Sequence, residues 1–495
     1  MILAIDIGTS SSRSAIYDST GSRLPETTAQ AAYSLQTGSD GRAELRPADL
    51  DRAVRQVVAS TLKTWRAGKS PRPIAGVGVS CFWHSLLGLN KSGRPVTPIY
   101  TWADSRCHRE AELLRRDPGE ARLHARTGCM GRTSFWPAKL LWLRASDRRL
   151  FAMVDRWVSP AEWIQQRWCG RATVSISMAS GTGLLNGHTL RWDPTLLRRC
   201  NIYARHLNPL SESPQKVRPA VIKIHPELRD APWFPAIGDG TASNLGSGAI
   251  HPTVAAINVG TSAALRVILK DPPAGRKPMA PLGLFAYRVD AKRQLLGGAV
   301  SNAGNLRAWA LRELKLPDDS AQVEKLMAKR PLPIESLTIL PFWMAERAPT
   351  WPENLPSVVI GMTQATTALD LLQTLQEATY HRLAQIADFL EEKLKHKLTF
   401  IVSGGLQHSP NSLQRLANVF GRTVYPSSEP EASLRGGALF ALEQLGQTPK
   451  QPALRSAIRP QPAPARAYAR ARQRQIELEA QSQKAFDSQR TIGKK

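Results

Sequence analysis

Three observations predict an α/β protein built from two related halves. A short apolar strand, a Gly-Thr-Ser turn and a return strand open the chain, from Ile2 to Tyr17 around Gly8, Thr9 and Ser10. The pattern returns in mid-chain from Ile257 to Arg266, around Gly260, Thr261 and Ser262, as in a duplicated fold. The 495 residues are also too many for one core, so two domains of about 200 to 250 residues are expected.

In each hairpin the glycine allows close backbone approach. Main-chain N–H groups and hydroxyls then form a concave donor surface suited to phosphate oxygens. Asp6, just before the first turn, is placed to hold a hydrated cation beside those oxygens. In the second copy Asn258 replaces the acid, and Ala263 and Ala264 replace serines. Both copies can therefore donate to phosphate, but only the first brings an anion for a metal.

A hydrophobic content of 42% with 21% charged residues is ordinary globular composition. No apolar stretch is long enough to span a bilayer, and the chain enters a strand at once, so neither a membrane anchor nor a secretory leader is expected. The five cysteines form no C-x-x-C pair and read as reduced thiols of a cytoplasmic protein. The net charge of +26 raises a nucleic-acid binder. Its arginines are scattered through helices without aromatic interleaving, so a basic surface that attracts anionic substrates is preferred.

The remaining elements follow in order. A helix begins near Pro47 with Leu50, Val54, Val57, Val58 and Leu62 on its apolar face. The triplet Gly68-Lys69-Ser70 resembles the end of a phosphate loop but follows a helix and is set aside. A strand from Ile74 to Ser80 delivers Trp83 and His84 at its C-terminal end, where open α/β sheets bind ligands; the bland alternative is a satisfied core histidine. A second strand end presents Trp102, Asp104 and Arg106. There Asp104 can accept from vicinal sugar hydroxyls while Trp83 and Trp102 stack on carbohydrate C–H faces, unless Asp104 and Arg106 simply pair. Residues 107–235 read as mostly helical, with loops at 128–137 and 177–193.

Asp239, held between Gly238 and Gly240 at a strand end, sits where a general base for a hydroxyl nucleophile belongs, a role compatible with capping the following helix. Farther on come a strand, glycine turn and helix through Gly304, and a long helix from about Thr367 to Lys395. Then follow a strand ending at Gly404-Gly405 ahead of a helix from Ser412, and a glycine-rich closing helix through Gly436 and Gly437. After Gly446 the composition turns to Pro, Gln and Arg, with a basic helix expected over 467–485 and frayed final residues.

Taken together, Asp6-Ile-Gly-Thr-Ser10, Thr101-Trp-Ala-Asp-Ser-Arg106, Gly238-Asp-Gly240, Asn258-Val-Gly-Thr-Ser262, Ser403-Gly-Gly405 and Glu431-Ala-Ser433 resemble the FGGY family of carbohydrate kinases, over about residues 1–446. His84-Ser-Leu86, Ser180 to Asn186 and Ala345-Glu-Arg-Ala-Pro349 look most like gluconokinases, with xylulose kinases second. The resemblance implies two duplicated actin/hexokinase-like (ribonuclease H-like) ATPase domains with an interdomain cleft. It divides the chain into an N-terminal domain 1–247 with the sugar site, a C-terminal domain 248–447 with the nucleotide site, and a basic, partly helical tail 448–495. It also implies ATP and Mg²⁺, with sugar phosphorylated at a terminal hydroxyl. On this footing Asp239 is the base and Asp6 orients the metal. Gly8, Thr9, Ser10, Gly260 and Thr261 grip phosphates. Gly304, Gly405 and Ser409 contact the nucleotide, and Trp83, His84 and Asp104 contact the sugar. Trp83 departs from the small residue or methionine usual before that histidine.

The expected reaction is phosphorylation of gluconate to 6-phosphogluconate, with a ketopentose such as xylulose or a polyol as the alternative acceptor. Arg347 or Lys139 is the expected partner of a substrate carboxylate. The expected partners are thus a small sugar or sugar acid and ATP, with no membrane, nucleic acid disfavoured and a homodimer left open. The rival class is a non-catalytic sugar sensor, or an actin-like ATPase that holds nucleic acid through its basic tail.

Overall fold

All six residues of Ile2–Ile7 are buried, the continuous burial of a strand covered on both faces. The structure is a computed structural model and describes residues 1–68, 72–271, 280–330, 332–352 and 355–492. Lys69 and Ser70 of the set-aside triplet and the last three residues lie outside these.

In chain order the site-bearing strands are β1 (Ile2–Ile7), β2 (Ser11–Tyr17), β3 (Ala29–Ala32), β4 (Gly76–Cys81), β5 (Ile237–Gly238), β6 (Val254–Val259), β7 (Ala263–Lys270), β8 (Arg293–Val300), β9 (Thr399–Gly404) and β10 (Val424–Pro426). The corresponding helices are α1 (Pro47–Arg66), α2 (Asp239–Ser247), α3 (Gly304–Glu313), α4 (Ala368–Leu394), α5 (Pro410–Phe420), α6 (Ala432–Gln444) and α7 (Pro462–Ile492). Two compact units form, one of Met1–Gly248, Ile268–Leu295 and Glu431–Pro452, the other of Ala249–Val267, Leu296–Pro430 and Ala453–Lys495. Among the described residues no helix is long and apolar enough to cross a membrane.

The first unit is built on a sheet of order β5-β4-β1-β2-β3. The hairpin β1–β2 is antiparallel and β1–β4–β5 parallel. Helix α1 lays Leu50, Val54, Val57, Val58 and Leu62 on β2 and β3. Helix α6, from late in the chain, packs on β1 and β4 with Leu434, Ala438 and Leu442 in the core around Ile2, Ala4 and Phe234. Its glycines explain how it fits. A Cβ on Gly436 would lie 1.8 Å from the Ala242 carbonyl oxygen, and one on Gly246 of α2 would lie 1.8 Å from that of Ala432. The two helices touch backbone to backbone, which only glycine permits. The segment 107–235 is helical only in short pieces, such as Glu120–Thr127 and Pro160–Cys169, and a helical turn, Ile176–Ser180, opens the expected loop at 177.

A six-stranded sheet of order β10-β9-β6-β7-β8, with Phe285–Arg288 at its edge, repeats the first over five strands, with β6–β7 antiparallel and β6–β9–β10 parallel. Leu306 of α3 and Leu372 and Leu375 of α4 share one core with Ile339. The tail is folded. Helix α7 packs on α4 and α5, and Leu478 joins Leu340, Phe342 and Leu355.

Candidate active site

The sheet register places the chemistry of the first unit. In β4, Cys81 stands opposite Ile7 of β1 on one side and Gly238 of β5 on the other. The first turn and Asp239 therefore flank the C-terminal end of one strand, as ligand sites of parallel sheets do. The Cys81 thiol is pushed well above its usual range, first by burial and then by the nearby charges of Asp239 and Asp6.

Asp6 is 6% exposed. Its Oδ1 accepts from the Ser80 hydroxyl at 2.8 Å and its Oδ2 from the Ser433 hydroxyl at 2.9 Å. Burial raises its pKa, while the two hydroxyls and the Arg13 charge pull it back. Beside it, Gly8 N–H donates to Ser11 O at 2.9 Å, the Tyr33 hydroxyl donates to Gly8 O at 2.5 Å and Trp102 Nε1 donates to Thr9 Oγ1 at 3.1 Å. The N–H groups of Thr9 and Ser10 have no partner among the described residues. One buried carboxylate beside open amides fits Mg²⁺, which is held through one or two carboxylates, substrate phosphates and water. Among the described residues no group of three His, Cys, Asp or Glu side chains gathers for a metal.

Asp239 is the first residue of α2, and Gly238 holds the cap position. Its Oδ1 accepts from Gly240 N–H at 2.8 Å, and it is partly exposed at the helix start, where the dipole favours an anion. An aromatic wall stands next to it. The Trp83 ring packs so tightly on the neighbouring strand end that a Cβ on Gly238 would lie 1.8 Å from it. Trp83 Nε1 donates to Ser177 O at 3.1 Å, and Tyr287 meets the Trp83 ring at 4.9 Å. His84 takes a positive φ of 68°, a costly conformation for a non-glycine residue that is common at functional sites. Its Nδ1 lies 2.5 Å from Gly181 O; a carbonyl only accepts, so Nδ1 carries a proton and in the neutral ring Nε2 is the acceptor. Phe135 and Tyr287 meet its ring at 4.9 and 5.5 Å.

In the second unit Gly260 N–H donates to Ser262 O at 2.9 Å, Gly304 N–H to Gly260 O at 3.0 Å and Asn305 N–H to Thr261 O at 3.2 Å. The N–H groups of Thr261 and Ser262 have no partner among the described residues. A Cβ on Gly304 would lie 2.5 Å from Gly260 O, and one on Gly404, at φ +82°, would lie 2.4 Å from Val259 O. Three glycine turns therefore converge on one exposed strand end, with Gly405 beside them.

Four expected residues have side chains that are already enclosed or engaged. Asp104 is 1% exposed, and its carboxylate is filled by Ala43 N–H at 3.1 Å and by the Arg106 guanidinium, at 3.1 Å from Nε and 2.6 Å from a terminal nitrogen. It is a buried ion pair rather than a sugar-hydroxyl acceptor. Trp83, 4% exposed, backs the site instead of offering its face to a sugar. Lys139, 1% exposed, donates to the carbonyls of Thr133 and Ser134 at 2.5 and 2.9 Å, so it is a structural lysine. The Ser409 hydroxyl caps α5, accepting from Ser412 N–H at 3.1 Å and donating to Glu324 at 2.8 Å. Conversely, Ser80 and Ser433 touch the Asp6 carboxylate and Tyr287 touches the Trp83 and His84 rings, and none of the three is among the expected site residues. Ser433 alone had a signal, the Glu431-Ala-Ser433 stretch ahead of the closing helix.

Residues 1–246 match the N-terminal domain, and residues 255–444 the C-terminal domain, of the FGGY family of carbohydrate kinases. The chain is 26% identical over 463 residues to a gluconokinase of Bacillus subtilis (strain 168), covering 90% of this chain and 88% of the relative. The crystal structure of a gluconate kinase from Lactobacillus acidophilus superposes with a TM-score of 0.87 at 25% identity, covering 97% of this chain and 98% of that one. A Plasmodium falciparum glycerol kinase with ADP shares the fold at a TM-score of 0.85 and 18% identity, over 96% and 97% of the two chains.

Proposed function

The chain belongs to the FGGY family of carbohydrate kinases, and we propose that it transfers the γ-phosphoryl group of ATP to the terminal hydroxyl of gluconate, giving 6-phosphogluconate. One observation carries the chemistry: the register that sets Asp239 and the first glycine turn on either side of Cys81. A base and a phosphate cradle at one strand end are what hydroxyl phosphorylation needs. For the acceptor, support comes from the gluconokinase relative and the gluconate kinase fold neighbour. The basic balance of the chain favours an anionic substrate as well.

On this reading Asp239 accepts the proton of the attacking hydroxyl. His84, its ring fixed by Gly181, and the aromatic wall orient the acceptor. The open amides of Thr9 and Ser10 hold phosphate oxygens, and Gly260, Thr261, Gly304 and Gly405 form the nucleotide platform. Mg²⁺ supplies charge neutralisation on the phosphates, and Asp6 is the residue that would hold it through water. Phosphoryl transfer has a loose transition state, so positioning and charge stabilisation supply most of the acceleration. We place the enzyme in the cytoplasm, in keeping with five cysteines that are all unbridged. The nucleic-acid reading loses its loose basic arm, since α7 is folded into the second unit.

The test is ADP release with Mg²⁺ and ATP over gluconate, xylulose, ribulose and glycerol. Turnover with the highest kcat/KM on gluconate is expected. A kcat/KM at least tenfold higher on another acceptor would replace gluconate and keep the kinase, and no turnover on any of them would remove both.

A further inference from the structure

Helix α7 begins beyond the residues that match the family, yet it carries an acid buried in the second unit: the Glu479 side chain is 9% exposed. Its carboxylate accepts from Arg382 at 2.5 Å and from the Thr350 hydroxyl. Arg382, fully buried on α4, turns its other terminal nitrogen to Ala348 O and Thr350 Oγ1, both at 3.0 Å. The pair therefore fixes the loop 346–350 from behind.

At the front of that loop is Glu346, fully buried. One of its oxygens accepts from Ser301 N–H at 2.5 Å and from Arg347 N–H at 2.8 Å, and the other accepts from Asn302 Nδ2 at 3.0 Å. Arg347 closes the same knot by donating to Ser301 Oγ and Val300 O, both at 3.1 Å, so it is held here rather than standing free for a substrate carboxylate. Ser301 and Asn302 lead directly into Gly304 and Asn305, whose N–H groups hold the second glycine turn.

We propose that Glu346 is a positioning residue for the nucleotide, and that the C-terminal helix sets it through the Glu479–Arg382 pair. The inference rests on the assignment of Gly260, Thr261 and Gly304 to nucleotide binding. A buried carboxylate with three donors defines one geometry for the 300–304 turn, and a buried guanidinium that loses its acid must find new partners. Weakening the pair should therefore loosen the turn without touching the acceptor site.

The experiment compares the full-length chain with Glu479→Gln, Glu346→Gln and, as a control, Arg470→Ala, an exposed residue of the same helix. ADP affinity is measured by calorimetry, KM for ATP and for the acceptor by ADP release, and amide hydrogen exchange over 300–305 by mass spectrometry. Glu479→Gln and Glu346→Gln should each raise the ADP Kd and the ATP KM by between about 2-fold and about 30-fold, the span of such indirect couplings. Exchange at 300–305 should quicken while the acceptor KM stays within twofold, and Arg470→Ala should change none of these. Nucleotide affinity and exchange that stay at wild-type values in both variants, even with a lowered Tm, would overturn the proposal and leave α7 a purely structural brace. Failure of the wild-type chain to bind ADP at all would instead remove the nucleotide assignment beneath it.

Discussion

The two glycine hairpins share their scaffold and differ in charge and in turn length. In the first, Asp6 faces Ser80 of the parallel neighbour and accepts its hydroxyl at 2.8 Å. In the second, Asn258 faces Ser403 in the same register and donates to its hydroxyl at 3.1 Å. The bond is conserved in place and reversed in direction, so the second copy keeps the strand geometry without a charge. The turns differ in length as well. Ile7 pairs with Ser12 but Val259 with Ala263, so the first turn is one residue longer. That extra residue puts Arg13 opposite Asp6, where the second copy has Ala264 opposite Asn258. The first hairpin thereby carries a carboxylate with a guanidinium opposite it, and the second carries neither.

The glycines break the comparison most sharply. Gly404→Ala places a Cβ 2.4 Å from a backbone oxygen at φ +82°, whereas a Cβ on Gly8 would lie 3.0 Å from Ser11 O. The first substitution should cost about 3 kcal/mol or more and the second about 1 kcal/mol, read by urea unfolding.

Asp6→Asn converts the first copy into the second. The Mg²⁺ concentration for half-maximal ADP release should rise about tenfold or more, and Asn258→Asp should not restore it. The same variant sharpens the comparison from the stability side. Burial raises the pKa of Asp6, so its contribution favours the fold when protonated and is lost as pH rises through the folded value. Without Mg²⁺ or nucleotide, Asp6→Asn should therefore raise Tm at neutral pH, by about 2 °C, and the gain should vanish toward pH 3. An unchanged Tm at pH 7 would mean that the two hydroxyls already offset the burial. The smallest effect concerns Lys139: Lys139→Met should leave the acceptor KM within twofold while shifting Tm, because its side chain is buried and donates to the Thr133 and Ser134 carbonyls.

Much of this was readable in the sequence, and the failures share a cause. Gly8, Gly260, Gly304 and Asp239 were legible because turns and strand ends are local features, set by residues adjacent in the chain. The partners of Asp6 were not, since Ser80 and Ser433 lie 74 and 427 positions away. Asp104, after a strand end, and Lys139, inside the helix Trp136–Ser146, share a related cause: a polar side chain looks functional until its burial and partners are known, and for Asp104 the partner is the stated alternative, Arg106. The packing of the tail was harder to read because its buried face mixes Tyr468, Ala471 and Leu478 with polar residues. Glu479 and Gln475 are nearly inaccessible, yet they interrupt the apolar periodicity that would have marked a packed helix.

The division of labour depends most directly on Asp239. Steady-state ADP release on gluconate, paired with calorimetric ADP binding, should be measured for wild type and Asp239→Asn. The account predicts kcat lower by a factor of about 10² to 10⁴ with ADP affinity unchanged, the signature of a base that acts only on the acceptor. Turnover within tenfold of wild type would contradict it and send the proton elsewhere.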